Sequence, residues 1–404
     1  MTNDDMLQHS LKAQSLLLPN AASRRPLTDF FSRALSAFQS SSDSAQKFQV
    51  ICTAPLSFSS NHAPSASAAT AVANGAQGKP YPEVPPAPIP PAKRPHTLIV
   101  LDSSFNPPTL AHLRMATSAV EDIIRRKGSG ETDIEGLRLL LLLAVVNADK
   151  APKPASFDQR LAMMWAFARD VQHALRGEED ELPEVLASGP GPKPQITNNE
   201  EKEGPKGLDI TVDIALTAKP FFHEKSRAMA ESEFYHAPSP GQEDTMEQVI
   251  LAGYDTLIRI FNPKYYGPPT SPSQLIKPRH KHDPTREGTP MQQALDPFFK
   301  RAKLRVTTRT DDEWGGKEEQ LKYLEGLMGE QGLENMGGSK EWASRIEMVE
   351  GRKDGEEIVS STYARKAAER EEWGKLGRLV SPGVGKWIEG ERLYVVDVKA
   401  GGVD

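Results

Sequence analysis

Cysteine is almost missing from this chain: among 404 residues there is one, Cys52. That excludes an intramolecular disulfide framework and a multi-cysteine metal site, and it suits a reducing compartment. Long apolar runs are missing too. The longest, Leu139 to Val146, is far shorter than the roughly 20 residues needed to cross a bilayer and fits a buried strand. No sign of charge dominates, with 49 basic against 55 acidic residues and a net charge of −6. A polyanion is repelled overall, so nucleic acid is not an expected partner and any phosphate chemistry must rest on local placement. The N-terminus carries Asp4 and Asp5 and lacks the charged-then-apolar pattern of a signal peptide, so cytosol or nucleus is the expected location, with no membrane partner.

What the chain does hold is loop chemistry, with 33 Pro and 30 Gly, so its regular elements must be separated by irregular stretches. Residues 1–95 read as an N-terminal extension. In it, Leu27 to Phe38 predicts a short amphipathic helix and Phe48 to Cys52 a strand added to the main sheet. A Ser/Ala/Pro-rich linker follows. From 96 to 396 strand and helix alternate. Predicted strands begin at Thr97, Leu137, Asp209, Glu247 and Arg305, and helices at Thr109, Arg160 and Thr256. Alternation of this kind predicts an α/β fold with a Rossmann-like, doubly wound parallel sheet. Polar stretches near 177–207, 231–244, 267–290 and 326–356 read as surface insertions open to protein partners, and 397–404 as a tail.

Two segments carry chemistry. Asp102-Ser103-Ser104-Phe105-Asn106-Pro107-Pro108-Thr109-Leu110-Ala111-His112 follows a buried strand and opens a helix, where backbone N–H groups and the helix dipole favour an anion. Thr109 and His112 share one face of the first turn. Taken alone, the pair reads as a helix cap and a structural histidine sooner than as an anion site. Near the C-terminus, Ser360-Ser361-Thr362-Tyr363-Ala364-Arg365 sets hydroxyls at a second helix start one turn ahead of an arginine, with Ser360 or Ser361 as the cap.

Together the two segments resemble the HxGH-type nucleotidyltransferase superfamily and, within it, the nicotinamide mononucleotide adenylyltransferases, especially the divergent fungal members. Intermediate landmarks agree in order: Val146 to Lys150, Gln159 to Met163, Gly253 to Leu257, Val384 to Ile388, and Leu393-Tyr394. The resemblance implies contacts from Ser104, Phe105, Lys150 and Arg309 to the mononucleotide. It implies Thr109, His112, Gly253, Asp255, Ser361, Thr362, Tyr363, Ala364 and Arg365 around ATP, with His112 and Arg365 catalytic. Mg²⁺ arrives with ATP, and no metal is held by the protein itself. Trp314 is a candidate to stack on the base. Ser103 stands where the family has Gly, which puts the turn's dihedrals in question, and Thr109 replaces the first histidine.

The implied reaction is adenylyl transfer from ATP to nicotinamide mononucleotide, giving NAD and pyrophosphate. Three alternatives stay open: another phosphate acceptor, ATP hydrolysis on the same fold, and an ATP-binding interaction module without transfer.

Overall fold

The structure is a computed structural model. It describes residues 21–41, 48–54, 84–127, 136–145, 154–177, 207–236, 246–266, 288–308, 315–329, 331–351 and 357–396. The strands are β1 (Phe48–Ala54), β2 (Thr97–Asp102), β3 (Leu137–Ala144), β4 (Thr211–Thr217), β5 (Glu247–Gly253), β6 (Ala302–Thr307) and β7 (Ile346–Val349). They form one seven-stranded sheet in the order β1-β4-β3-β2-β5-β6-β7. All neighbours are parallel except β1, which pairs antiparallel with β4. From β4 to β7 this is the strand order of a doubly wound nucleotide-binding sheet, and order reverses between β2 and β5.

The helices are α1 (Ala21–Ser40), α2 (Leu110–Lys127), α3 (Phe157–Arg176), α4 (Phe222–Ala230), α5 (Tyr254–Ile260), α6 (Pro290–Arg301), α7 (Lys317–Met328), α8 (Gly332–Asn335), α9 (Ser361–Glu369), α10 (Trp373–Leu376) and α11 (Pro382–Gly390). The strands are apolar on both faces because both are covered. Ile99, Leu101, Leu139, Leu141 and Leu143 point into a core shared with α1, α2, α3 and the C-terminal helices. Leu98, Val100, Leu140 and Leu142 point the other way, toward α4 to α7. No helix among the described residues is long and apolar enough to cross a membrane.

The N-terminal extension belongs to this core. Leu27, Phe31 and Phe38 of α1 are buried, and α1 packs on α3. β1 is tied to β4 by a buried cluster around Asp213. Arg138 donates to both Asp213 oxygens at 2.8 Å, Thr53 donates at 2.8 Å and Tyr235 at 3.1 Å. Arg138 also reaches the Ile89 carbonyl at 3.0 Å, so one guanidinium fastens the chain between β1 and β2.

Two stretches expected to be surface insertions contribute to the core instead. The 231–244 stretch holds a short 3₁₀ turn, Glu233–Tyr235, whose Tyr235 is fully buried against Asp213. The 326–356 stretch holds α8, the buried Trp342 and the whole of β7. A four-residue strand and single aromatics in a charged background are too short to show periodicity. Nearly all of 177–207 and of 267–290 lies outside the described residues. Thr289, at the end of the latter, caps α6 in a reciprocal box with Gln292.

Candidate functional site

A cavity of about 780 Å³ opens over the carboxyl ends of the strands at the switch between β2 and β5. Ser103, Ser104, Asn106, Thr109 and His112 line one wall. Gly253 and Asp255 line a second at the start of α5, and Ser361, Thr362 and Arg365 line a third at the start of α9. The two segments singled out in the sequence therefore meet across one cleft, although more than half the chain separates them.

They also touch. Arg365 donates to the Asn106 carbonyl at 2.7 Å and to Thr362 Oγ1 at 3.1 Å. Ser361 Oγ donates to the Pro107 carbonyl at 2.8 Å. Ser360 is the cap, its Oγ accepting from the Tyr363 N–H at 3.2 Å. The Tyr394 hydroxyl donates to Asn106 Oδ1 at 2.8 Å, fixing the same loop from the C-terminal end.

His112 sits at the third position of α2 and turns back on the cap. Its Nδ1 accepts from the Thr109 N–H at 3.1 Å and lies 2.8 Å from Thr109 Oγ1. A backbone N–H can only donate, so Nδ1 carries the lone pair and Nε2 the proton. Nε2 lies 3.0 Å from Ser103 Oγ.

Phe105 takes a left-handed backbone, φ 46°, while its side chain is fully buried, 6.4 Å ring to ring from Phe167. A bulky residue holds that conformation only where packing enforces it. The doubt about Ser103 thus moves two residues along: Ser103 is not among the positive-φ residues, and it is Phe105 that makes the turn.

Not every residue the resemblance implies lines the cavity. Phe105 reaches the core and does not line the cavity. On α9, Ser361, Thr362 and Arg365 share the cleft-facing side, while Tyr363 points to solvent and Ala364 into the core. The Tyr363 N–H donates to Ser360 Oγ and the Ala364 N–H to the Ser360 carbonyl. Lys150, Arg309 and Trp314 lie outside the described residues.

Several lining residues were given no role by the sequence, Arg160 among them although it lies in the Gln159 to Met163 landmark. Arg114, Arg160, Lys225, Arg259 and Arg378 line the cleft together with the carboxylates of Asp102, Asp255, Glu350 and Glu357. Lys225 of α4 pairs with Asp102 at the end of β2, both nearly buried. Arg160 stacks on Phe157 and donates to the Ala155 carbonyl at 2.9 Å. Burial lowers its pKa from the usual arginine value, with Arg365 adding to that shift and Tyr394 opposing it. Phe221 also lines the cavity, stacked on His223 at 5.8 Å and 6.0 Å from Tyr265. The signal for these was spatial: each follows or faces a strand's carboxyl end.

No family model matches the chain. Over 270 residues it is 28% identical to a Schizosaccharomyces pombe protein named "Putative nicotinamide mononucleotide adenylyltransferase", a match covering 67% of this chain and 75% of that one. Two solved structures of Plasmodium falciparum nicotinic acid mononucleotide adenylyltransferase, one complexed with NaAD and one with APC, align at 11% and 10% identity. Each alignment covers 74% of this chain and 97% of the other, with a TM-score of 0.30, so the fold assignment rests on the strand order itself.

Proposed function

We propose that this chain is a nucleotidyltransferase that moves the adenylyl group of ATP to a pyridine mononucleotide, with nicotinamide mononucleotide as the acceptor and NAD and pyrophosphate as products. The observation that carries this reading is the single cleft in which the loop before His112 and the helix start before Arg365 meet. A phosphate oxygen of the mononucleotide attacks the α-phosphorus of ATP in line. The new P–O–P bond forms as the α–β bridge breaks, and the electron pair leaves with pyrophosphate. The attacking phosphate is already anionic at neutral pH, so no general base is required. The protein's work is positioning and charge stabilisation by Arg365 and the donors of Ser361 and Thr362 at the start of α9, with His112 on the facing wall.

In this reading Asp255, which lines the cleft at the first turn of α5 beside Gly253, accepts from the ATP ribose. Ser104, Phe221 and Tyr265 form the acceptor side, and the aromatic pair offers a face for the pyridine ring. Magnesium comes as the counter-ion of ATP, held by phosphate oxygens and water. Asp102, the carboxylate at the end of β2, is engaged by Lys225. The test is mass spectrometry of purified protein with MgATP and either nicotinamide or nicotinate mononucleotide. Dinucleotide from the first is the expected result. Product from the second alone corrects the acceptor, and inorganic phosphate with no dinucleotide from either removes the transferase reading.

A further inference from the structure

The His112 imidazole is held as a one-way donor. Thr109 supplies an N–H to Nδ1 at 3.1 Å, which fixes the lone pair there and leaves the proton on Nε2. Nε2 faces Ser103 Oγ at 3.0 Å, so that oxygen accepts. A hydroxyl whose lone pair receives a proton still has its own proton to place. The only side-chain bond that Ser103 makes among the described residues is this one with His112, and Ser103 lines the cavity. Its backbone N–H is spent on the Leu142 carbonyl at 3.3 Å, which fixes where the side chain starts. The hydroxyl proton is therefore the group this wall can offer to a ligand acceptor, and the hydrogen bond received from His112 polarises it.

We infer that Ser103 is a phosphate-contacting residue for ATP, and that Thr109, His112 and Ser103 form a relay in which the histidine acts through the serine. The inference rests on ATP as the cleft's ligand. The serine that stands where the resembling family has glycine is then a working donor rather than a defect.

The test reads ATP binding by titration calorimetry, without acceptor, so that it stands apart from product formation. Ser103→Ala and His112→Ala are each expected to weaken MgATP binding about tenfold or more, as loss of a hydrogen bond to a charged group does. The double variant is expected to be no weaker than the weaker single one, and Ser103→Thr, which keeps the hydroxyl, to bind within a few-fold of the parent. Ser103→Gly replaces the alanine variant if melting shows that the latter is unfolded. Parent-like binding by the hydroxyl-less variant, or losses that multiply in the double variant, overturns the relay and leaves His112 as an independent contact. Failure of the parent itself to bind ATP sinks the functional reading along with it.

Discussion

Two polar constellations, one at the β1–β4 edge of the sheet and one over the carboxyl ends of β2 and β5, differ in what completes them. Around Asp213, at the β1–β4 edge, every donor is answered by protein: Arg138, Thr53 and Tyr235 converge on one carboxylate, and Arg138's remaining reach ends on Ile89. Burial pushes the Asp213 carboxyl up and the guanidinium and hydroxyls pull it back. Around the cleft, donors are anchored at one end and face a cavity at the other. The first is buried, while Ser103, His112, Ser361 and Arg365 of the second are half-buried. Closure marks the first as a fastening, and open-endedness marks the second as a binding surface.

The largest effect expected separates the two by stability. Asp213→Ala strands Arg138 and is expected to cost about 3–5 kcal/mol of folding free energy, read by denaturant unfolding. Turnover per folded molecule stays near the parent's. Next, Arg365→Ala is expected to cut turnover about 10²–10³-fold, on the scale of losing one preorganised donor to developing charge, with little change in melting temperature. A stability loss at Arg365 matching that at Asp213, or a turnover loss at Asp213 matching that at Arg365, breaks the distinction.

How much of this was legible in the sequence follows from range. Strands β2 to β6 and helices α2, α3 and α5 announced themselves because each carries a local apolar pattern, and the Thr109/His112 and Ser360 to Arg365 segments because each is compact. β7 and Tyr235 did not, because their burial is decided by neighbours far along the chain. The cleft's extra cations illustrate the same point. Lys225 is one lysine among many until α4 is laid beside the end of β2, and only then does its pairing with Asp102 appear. Phe105 was named for a ligand contact and its left-handed backbone went unread, because composition does not encode an angle.

A second buried carboxylate sharpens the comparison, because burial outweighs its hydrogen bonds and the charge of Lys386. Asp170 of α3 accepts from the Gly383 N–H at 3.2 and 3.1 Å, capping α11, and burial pushes its pKa up to about 6. Because the folded protein holds that proton more tightly than the unfolded chain does, this group favours folding at low pH. That contribution, about 3 kcal/mol at most, is lost as pH rises from about 4 to about 6. Asp170→Asn is expected to remove that slope from a stability–pH profile and to melt above the parent at pH 7. Parallel profiles for parent and variant overturn the assignment.

The smallest effect tests the border between the two classes. The Tyr394 hydroxyl makes a closed bond, to Asn106 Oδ1, yet the residue it holds is the one whose carbonyl anchors Arg365. Its position also requires a left-handed backbone, φ 69°, at the end of the C-terminal helices, so the fold commits strain to placing that ring. If closure alone decided, Tyr394→Phe would cost the roughly 1 kcal/mol of a lost neutral hydrogen bond in stability and nothing in rate. If the bond serves the cleft, the same change lets the Asn106 loop drift and Arg365 with it. Turnover is then expected to fall about five- to tenfold, roughly 1–1.4 kcal/mol of barrier. We expect the second pattern, with the loss in kcat at saturating ATP. A variant that melts a few degrees lower but turns over at the parental rate would move Tyr394 into the company of Asp213.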